Sequence, residues 1–465
     1  MRIDVPDEVL PADRLGRVHF IGIGGAGLSA IALLMHEAGI DVAGSDGKES
    51  VVLERLRAAG ITCHVGHDAA LLAHRDTVVA STAVPEDNPE VVEALRRGLR
   101  LWPRSAALMS TMLHDRRVAV AGTHGKTTTT AMLTFALRGA GADPTFAIGA
   151  EVAGLGTNAR RGAGPEFVVE ADESDGAFLH YRPHMALVTN IDADHLDTYG
   201  TVEAYEDAFA RFAASVDEVV VLSADDPGCR RLVACGAAPR VVTAGFAEDA
   251  DVRGTQVRIE GSSTRFVASG PGLEPTEVVL AVPGRHYAAD ALLALAAGLE
   301  LGHDAAGLVT GLAGYTGAAR RMEPKGEAAG IRVVDSYAHH PTEIAADLAA
   351  ARALAGEGRL VVVFQPHLVS RTRIFGAQMG RELAAADLVV VADLYLAREA
   401  PDPEVTSALV VETAGPNARA GGPIAEVPSL VAPLLQPGDL VLTLGAGDVT
   451  TVGPALLELL RESAR

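Results

Sequence analysis

VAVAGTHGKTTTT, Val118 to Thr130, is an apolar run that breaks at a glycine and passes through Gly125 and Lys126 into a threonine-rich helix start. A strand, a glycine turn and a helix in that order point backbone N–H groups at a helix N-terminus, where phosphate oxygens bind. The common spacing, G-x-x-x-x-G-K-[ST], would put its first glycine where Val120 stands. With glycines at 122 and 125 the cradle is shorter, yet its other parts remain. Lys126 is placed to bridge the outer phosphates and the Thr127 hydroxyl to reach Mg2+. Thr123, His124 and Thr128 add polar groups in and beside the loop. The stretch predicts an ATP site carried by a parallel α/β unit.

Composition sharpens that reading. Only Lys48, Lys126 and Lys325 are lysines among 39 basic residues, so a lysine inside the loop marks a place that needs a compact ammonium. At 465 residues the chain is too long for one core, and two to four domains are expected. It is 48% hydrophobic and 21% charged without a long apolar run, the composition of a soluble protein with no membrane partner. Aromatics are 4%, which leaves Ala, Val and Leu to build the cores. The start shows no apolar signal region, and three cysteines without C-x-x-C spacing argue against a disulfide framework or a zinc knuckle. A cytoplasmic location is expected. A formal charge of -21 opposes nucleic-acid binding, so local cations must hold any anionic ligand.

Residues 17–100 alternate strand and helix patterns: strands at 18–21, 40–43, 61–63 and 77–80, helices at 28–37 and 53–59. Residues 101–104 read as the exit from this unit, followed by a short helix at 105–113. A second unit carries the opening loop, with strands at 166–169, 184–188 and 218–222, then alternating segments across 251–280 that predict an added antiparallel ribbon. A third opens near Pro324, with strands at 330–334, 360–364 and 440–444. The expected fold is α/β, with three domains in series: 1–108 Rossmann-like, 109–323 P-loop ATPase-like with added antiparallel strands, and 324–465 Rossmann-like.

Further candidate sites fall at strand ends, the edge where open α/β sheets bind ligands. GIGGAG at 22–27 follows a strand and opens a helix, and Asp46 lies about 20 residues on, as a dinucleotide fingerprint has it. Its glycines, Gly22, Gly24, Gly25 and Gly27 with Ala26 between, let the backbone approach a diphosphate, without saying whose. EADESD at 170–175 puts carboxylates where a nucleotide-bound Mg2+ needs them, and His195, beside Asp192, Asp194 and Asp197, is placed to ligate a second metal. After the third unit's strands come DSYAHHPTE at 335–343 and QPHLVSRTR at 365–373, histidines and arginines suited to a carboxylate-bearing substrate.

Together these ordered motifs, with ADHLDTYG at 193–200, resemble the Mur ligases of bacterial cell-wall synthesis over essentially the whole chain. The resemblance makes GTxGKT the family's own form of the loop and assigns the first glycine turn to a UDP-sugar diphosphate, with Asp46 and His67 as contacts. It implies phosphate and Mg2+ roles for Lys126 and Thr127, metal ligation by Glu170 and His195, and ATP contacts from Gly122 to Thr128, His286, Asp290, Arg321 and Asp335. Tyr337, His339, His367 and Arg371 would form an amino-acid pocket. The implied activity is ATP- and Mg2+-dependent amide formation between UDP-N-acetylmuramate and L-alanine through an acyl phosphate, with Lys126, Glu170 and His195 catalytic, by a monomer or weak homodimer.

Departures from the family pattern stand at Tyr287 and Asp290, in place of two amides near adenine, at Leu368, where an Arg often follows QPH, and at Ser336, where a second Asp is common. The carbamylated lysine of sister ligases has no counterpart near Phe209. Other readings stay open: a ligase adding a tripeptide to the same sugar, an NAD(P)-dependent oxidoreductase resting on residues 22–27, and a non-catalytic ATP-binding switch.

Overall fold

The computed structural model describes residues 3–463 apart from 82, 175 and 398. Asp175 of the acidic turn and the side chains of Ala26 and Asp197 lie outside the described residues. Two compact units divide the chain: Met1–Arg253 with Ser269–Glu274 and Asp290–Leu312, and Gly254–Ala268 with Pro275–Ala289 and Ala313–Arg465.

Short runs of Val, Ile, Leu and Ala form strands because a parallel sheet under helices buries both faces, and continuous apolar runs suit it better than alternation. In the first unit β1 (Val18–Ile21), β2 (Val42–Asp46), β3 (Thr62–Val65), β4 (Thr77–Ala80) and β5 (Arg100–Pro103) make a parallel sheet in the order β3-β2-β1-β4-β5. The expected exit at 101–104 is corrected here, because residues 101–103 pair with β4 as the edge strand of the sheet and Arg104 opens the next helix. Trp102 drives this, 4% exposed against the core. The helix Ala26–Glu37 covers the sheet with Leu28, Ile31, Leu34 and Met35, an i, i+3, i+4 stripe that is almost fully buried.

The second sheet of this unit runs β12-β11-β10-β6-β9-β7-β8, from β6 (Arg116–Ala121), β7 (Thr145–Ala147), β8 (Ala159–Arg160), β9 (Glu166–Glu170), β10 (Met185–Val188), β11 (Val219–Ser223) and β12 (Val241–Gly245). All pairings are parallel except that of β7 with β8. Helix Lys126–Gly139 leaves the carboxyl end of β6 and lies against helix Ala305–Leu312 with backbones nearly touching. A Cβ added to Gly311 would stand 2.1 Å from the Phe135 carbonyl oxygen, and one on Gly139 would stand 2.3 Å from Gly311 Cα.

The second unit holds most of the expected ribbon, β13 (Val252–Glu260), β14 (Ser263–Gly270) and β15 (Leu273–Leu280), joined by two-residue turns at Gly261 and Gly272 with positive φ. It also holds a six-stranded sheet in the order β16-β17-β21-β18-β19-β20. These are β16 (Glu323–Ala328), β17 (Ile331–Ser336), β18 (Leu360–Phe364), β19 (Leu388–Ala392), β20 (Ala418–Gly422) and β21 (Leu440–Leu444). Only the edge strand β16 runs antiparallel. No helix among the described residues is long and apolar enough to cross a membrane.

Candidate active site

At the end of β6 the chain turns at Gly122, φ +129°, and again at Gly125, φ +81°, conformations that a side chain resists. Space enforces the first turn as well, since a Cβ on Gly122 would stand 2.1 Å from Thr189 Oγ1. The His124 amide donates to Asn190 Oδ1 at 2.9 Å, and the His124 carbonyl accepts from Asn190 Nδ2 at 3.0 Å. Thr123 Oγ1 donates to the Asp192 carbonyl at 3.0 Å and lies 2.9 Å from the Tyr205 hydroxyl. The loop is therefore held from β10 and from helix Val202–Ala214 before any ligand arrives. Gly125 caps helix Lys126–Gly139 without a side chain over the first-turn amides, which suits them to an anion. Thr127 and Thr128 lie buried in that first turn, and the Asp290 carboxylate is 2.8 Å from a Cβ built on Gly125.

The Lys126 ammonium curls back into the cradle, donating to the carbonyls of Gly122 at 2.7 Å and Thr123 at 3.0 Å. Its third partner is Glu173, with Nζ 2.8 Å from Oε2. Glu170 is the residue of this acidic turn expected as a metal ligand; the lysine's partner is Glu173, which is wholly buried. Burial pushes the Glu173 carboxyl up to about 7, with Lys126 limiting the rise. Burial also works against the Lys126 charge, but Glu173, Asp172 and Glu170 outweigh it and raise its pKa. Glu170 itself accepts from the Gly149 amide at 2.7 Å. His195 joins the same group, its Nε2 3.7 Å from Glu173 Oε1 and 3.8 Å from Asp194 Oδ2. It sits at φ +52°, a left-handed conformation that a non-glycine residue adopts at a cost and that is concentrated at functional sites.

The glycine turn after β1 is built in the same way. Gly22 and Ile23 donate to the Ser45 carbonyl at 2.8 and 3.0 Å, and Gly25 donates back to Gly22 at 3.0 Å. The Gly24 amide is taken by Asp46 Oδ2 at 2.9 Å, so one acid already occupies the turn. Gly25 and Ala26 begin helix Ala26–Glu37, and Arg104 packs over Gly27. His67 is fixed by Ser45 Oγ, 3.0 Å from Nδ1, and by Glu90 Oε1 at 3.3 Å. Burial would raise the Glu90 carboxyl, but hydrogen bonds from His19, Ser45 and the Asp68 amide hold it below the usual range.

The second unit gathers the four residues read as an amino-acid pocket. His339 Nδ1 is 2.9 Å from the Tyr337 carbonyl, the rings of His339 and His367 are 6.1 Å apart, and Arg371 Nη1 is 3.5 Å from His367 Nδ1. Burial and Arg371 push His367 down to about 4, so its imidazole is neutral near pH 7. Tyr395, absent from the sequence reading, stacks on His367 at 5.5 Å. Leu368 takes φ +69° at the head of helix Val369–Leu383. Asp335 is wholly buried and accepts from Thr443 at 2.6 Å and Thr450 at 2.8 Å, with Arg320 Nε at 3.4 Å. Arg321 stands 5.3 Å over the Tyr337 ring and 3.9 Å from Glu343, and Tyr287 donates to its carbonyl at 3.2 Å.

Ser336, which stands where the family pattern commonly has a second Asp, donates to the buried carboxyl of Asp347. Burial raises that carboxyl to about 7 and, with Arg321, lowers the nearby His286 to about 4; His286 Nε2 is 3.9 Å from Asp347 Oδ1. The folded state thus keeps a proton on Asp347 that the unfolded chain releases above about 4. Asp347 makes stability fall as pH rises from about 4 to about 7, a loss fully in force at pH 8. Asp347→Asn is expected to flatten this slope and to be more stable than wild type at pH 8 by about 2–4 kcal/mol. Urea unfolding of both proteins at pH 5 and pH 8 measures it, and identical pH profiles would refute the assignment.

A strand-fed glycine-lysine loop, a second glycine turn and a cluster of histidine and arginine on the third sheet are features of a nucleotide-dependent α/β enzyme. Models of the Mur ligase family match in sequence order: the catalytic domain at residues 17–116, the middle domain at 120–298 and the glutamate ligase domain at 320–447. The chain is 59% identical to a UDP-N-acetylmuramate--L-alanine ligase of a Nocardioides species, covering 99% of this chain and 100% of that protein. A ligase of the same name from Thermobifida fusca is 48% identical, covering 99% of this chain and 100% of that protein. Among solved structures, UDP-N-acetylmuramate-alanine ligase from Thermotoga maritima superposes with a TM-score of 0.80 at 29% identity, covering 96% of this chain and 99% of that one. A murein peptide ligase from Psychrobacter arcticus gives 0.70 at 25%, with coverages of 96% and 99%. The chain belongs to the Mur ligase family and has its three-domain α/β fold.

Proposed function

We propose that the chain is an ATP-dependent ligase that joins the lactyl carboxylate of UDP-N-acetylmuramate to L-alanine in peptidoglycan precursor synthesis. The reading rests above all on 59% identity, over 99% of the chain, to a relative of that name. A carboxylate is a poor acyl donor because oxide would have to leave. Attack of a carboxylate oxygen on the γ-phosphorus of ATP forms a C–O–P bond and releases ADP. The alanine amine, freed of its extra proton, then attacks the acyl carbon, and phosphate departs with the C–O electron pair.

Lys126 and the first-turn amides supply fixed positive charge where the phosphoryl group passes, and this kind of positioning and electrostatics dominates such transfers. Tyr205 and Asn190 hold the loop so that little reorganisation remains. Mg2+ would supply countercharge to the transferring phosphoryl group. Thr127, Glu170 and His195 would hold it: two offer the oxygens a hard cation prefers, and half-exposed Asp172 and buried Glu173 add acidic groups beside them. The first glycine turn, with Asp46 and His67, takes the UDP-sugar. His286, Asp290, Arg321 and Asp335 serve ATP, and Tyr337, His339, His367 and Arg371 take the alanine. Domain bounds of 1–108, 109–323 and 324–465, a monomer or weak homodimer and a cytoplasmic location complete the proposal.

Phosphate release from ATP, Mg2+ and UDP-N-acetylmuramate is expected to depend on L-alanine. The likeness to a murein peptide ligase makes a tripeptide the acceptor to run alongside. Turnover with tripeptide alone would replace this reading with the sister one, and saturable binding of a nicotinamide dinucleotide at the glycine turn would favour an oxidoreductase.

A further inference from the structure

We infer that Arg104 is a substrate-binding residue, its guanidinium gripping the anionic oxygens of the nucleotide sugar at the glycine turn. The inference rests on the proposed sugar site and adds to it a residue on which the motifs are silent.

Arg104 follows β5 directly and opens helix Arg104–Met112, at the same carboxyl edge of the parallel sheet as Gly22 after β1 and Asp46 at the end of β2. Its side chain lies across the turn. A Cβ added to Gly27 would stand 3.1 Å from both Cδ and Nη1 of Arg104, so this glycine keeps room for a guanidinium over the start of the helix. From there the arginine reaches the acidic turn after β9, with Nη2 3.6 Å from Asp172 Oδ2, and about a third of the side chain stays open to solvent. Asp172 in turn feels Lys126, which lowers its pKa more than Arg104 does.

Charge accounting makes the arginine necessary. The ligand brings a diphosphate and a lactyl carboxylate to a chain of net charge -21, into a turn where the Asp46 carboxylate already holds the Gly24 amide. Backbone amides alone do not offset that, and a guanidinium pairs with phosphate or carboxylate oxygens bidentately. The 3.6 Å contact with Asp172 is long for a charge-assisted hydrogen bond, so exchanging it for a ligand oxygen gives up little. The placement between the sugar turn and the acidic turn lets one side chain orient the acid that must meet ATP.

The test is direct binding of UDP-N-acetylmuramate by calorimetry without ATP, together with KM values for sugar and ATP, on wild type, Arg104→Ala, Arg104→Lys and Asp172→Asn. Arg104→Ala is expected to weaken sugar binding at least tenfold while the KM for ATP changes less than twofold, and Arg104→Lys to recover part of the loss. Asp172→Asn, which removes the Asp172 contact, is expected to leave sugar affinity unchanged or tighter. If it weakens sugar binding as Arg104→Ala does, the arginine is only a structural tie and the inference is wrong. Unchanged sugar affinity in a folded Arg104→Ala, or an equal rise in the ATP KM, also overturns it. UDP-N-acetylglucosamine, which lacks the lactyl carboxylate, separates the sources: equal losses for both sugars place the grip on the diphosphate, and loss confined to the muramate places it on the carboxylate. Failure of wild type to bind UDP-N-acetylmuramate would instead sink the functional reading itself.

Discussion

Replacing Lys126 with alanine is expected to cut phosphate release, with all substrates present, by about a thousandfold or more, because it removes a fixed charge from the transferring phosphoryl group. The protein should stay folded, but not unchanged. The ammonium is the partner of Glu173, and a buried carboxylate stripped of its cation costs on the order of 3–5 kcal/mol if it remains ionised. Glu173 already titrates near 7, and without Lys126 its pKa rises further, so the variant carries a neutral acid at low pH. Its folded pKa lies above the unfolded value, so the variant's stability deficit should be small at pH 5.5 and grow as pH rises through 7 and beyond. Thermal melts at pH 5.5 and 8.5, paired with the phosphate assay, measure both effects. A folded variant that keeps more than a tenth of wild-type turnover would show that the loop does not do the chemistry assigned to it.

Gly311→Val is expected to have the largest effect on stability away from the loop. The new Cβ would stand 2.1 Å from the Phe135 carbonyl oxygen and 2.8 Å from Ala136 Cα, where backbone rather than a flexible side chain must give way. Overpacking against atoms that cannot swing aside costs about 3 kcal/mol, a drop of about 5 °C in melting temperature for a unit of this size. Helix Lys126–Gly139 moves with it, and Lys126 is its first residue. A shift of about 1 Å at a reacting group can cost a hundredfold in rate. Activity below the melting point should therefore fall with stability, while Gly311→Ala should show a smaller effect in the same direction. A valine variant that melts within 1 °C of wild type, about half a kcal/mol, would mean that the helices part more easily than this packing implies.

Much of this was readable from residue order. Buried parallel strands declare themselves as short runs such as VHFI, LVVVF and LVLTL, and β1, β18 and β21 fall where those runs lie. β5 escaped because Trp-Pro looks like a loop, although Trp102 buries itself as an ordinary strand residue would. β16 escaped because EPKGEA is polar, as an edge strand can afford to be. The site divides in the same way. A glycine-lysine-threonine loop is local chemistry and carries its own signature, whereas the choice among the acids at 170–175 depends on which one the fold turns inward. No spacing distinguishes Glu173 from Glu170. The Ser336–Asp347 pair joins a strand end to the helix Pro341–Ala355, and Arg104 meets Gly27 and Asp172 from two different sheets, so neither contact leaves a trace in one stretch of sequence.

The scarcity of lysine has an experimental consequence. An amine-directed acylating reagent meets lysine side chains at only three positions in this chain. Lys48 is exposed, Lys325 is 2.8 Å from Glu323, and Lys126 is tucked into the cradle. A peptide map after brief labelling therefore reduces to three signals, one of which reports on the loop alone. Loss of the residue 126 signal on adding ATP, with residue 48 as internal standard, turns the chain's own composition into an occupancy gauge that needs no engineered probe.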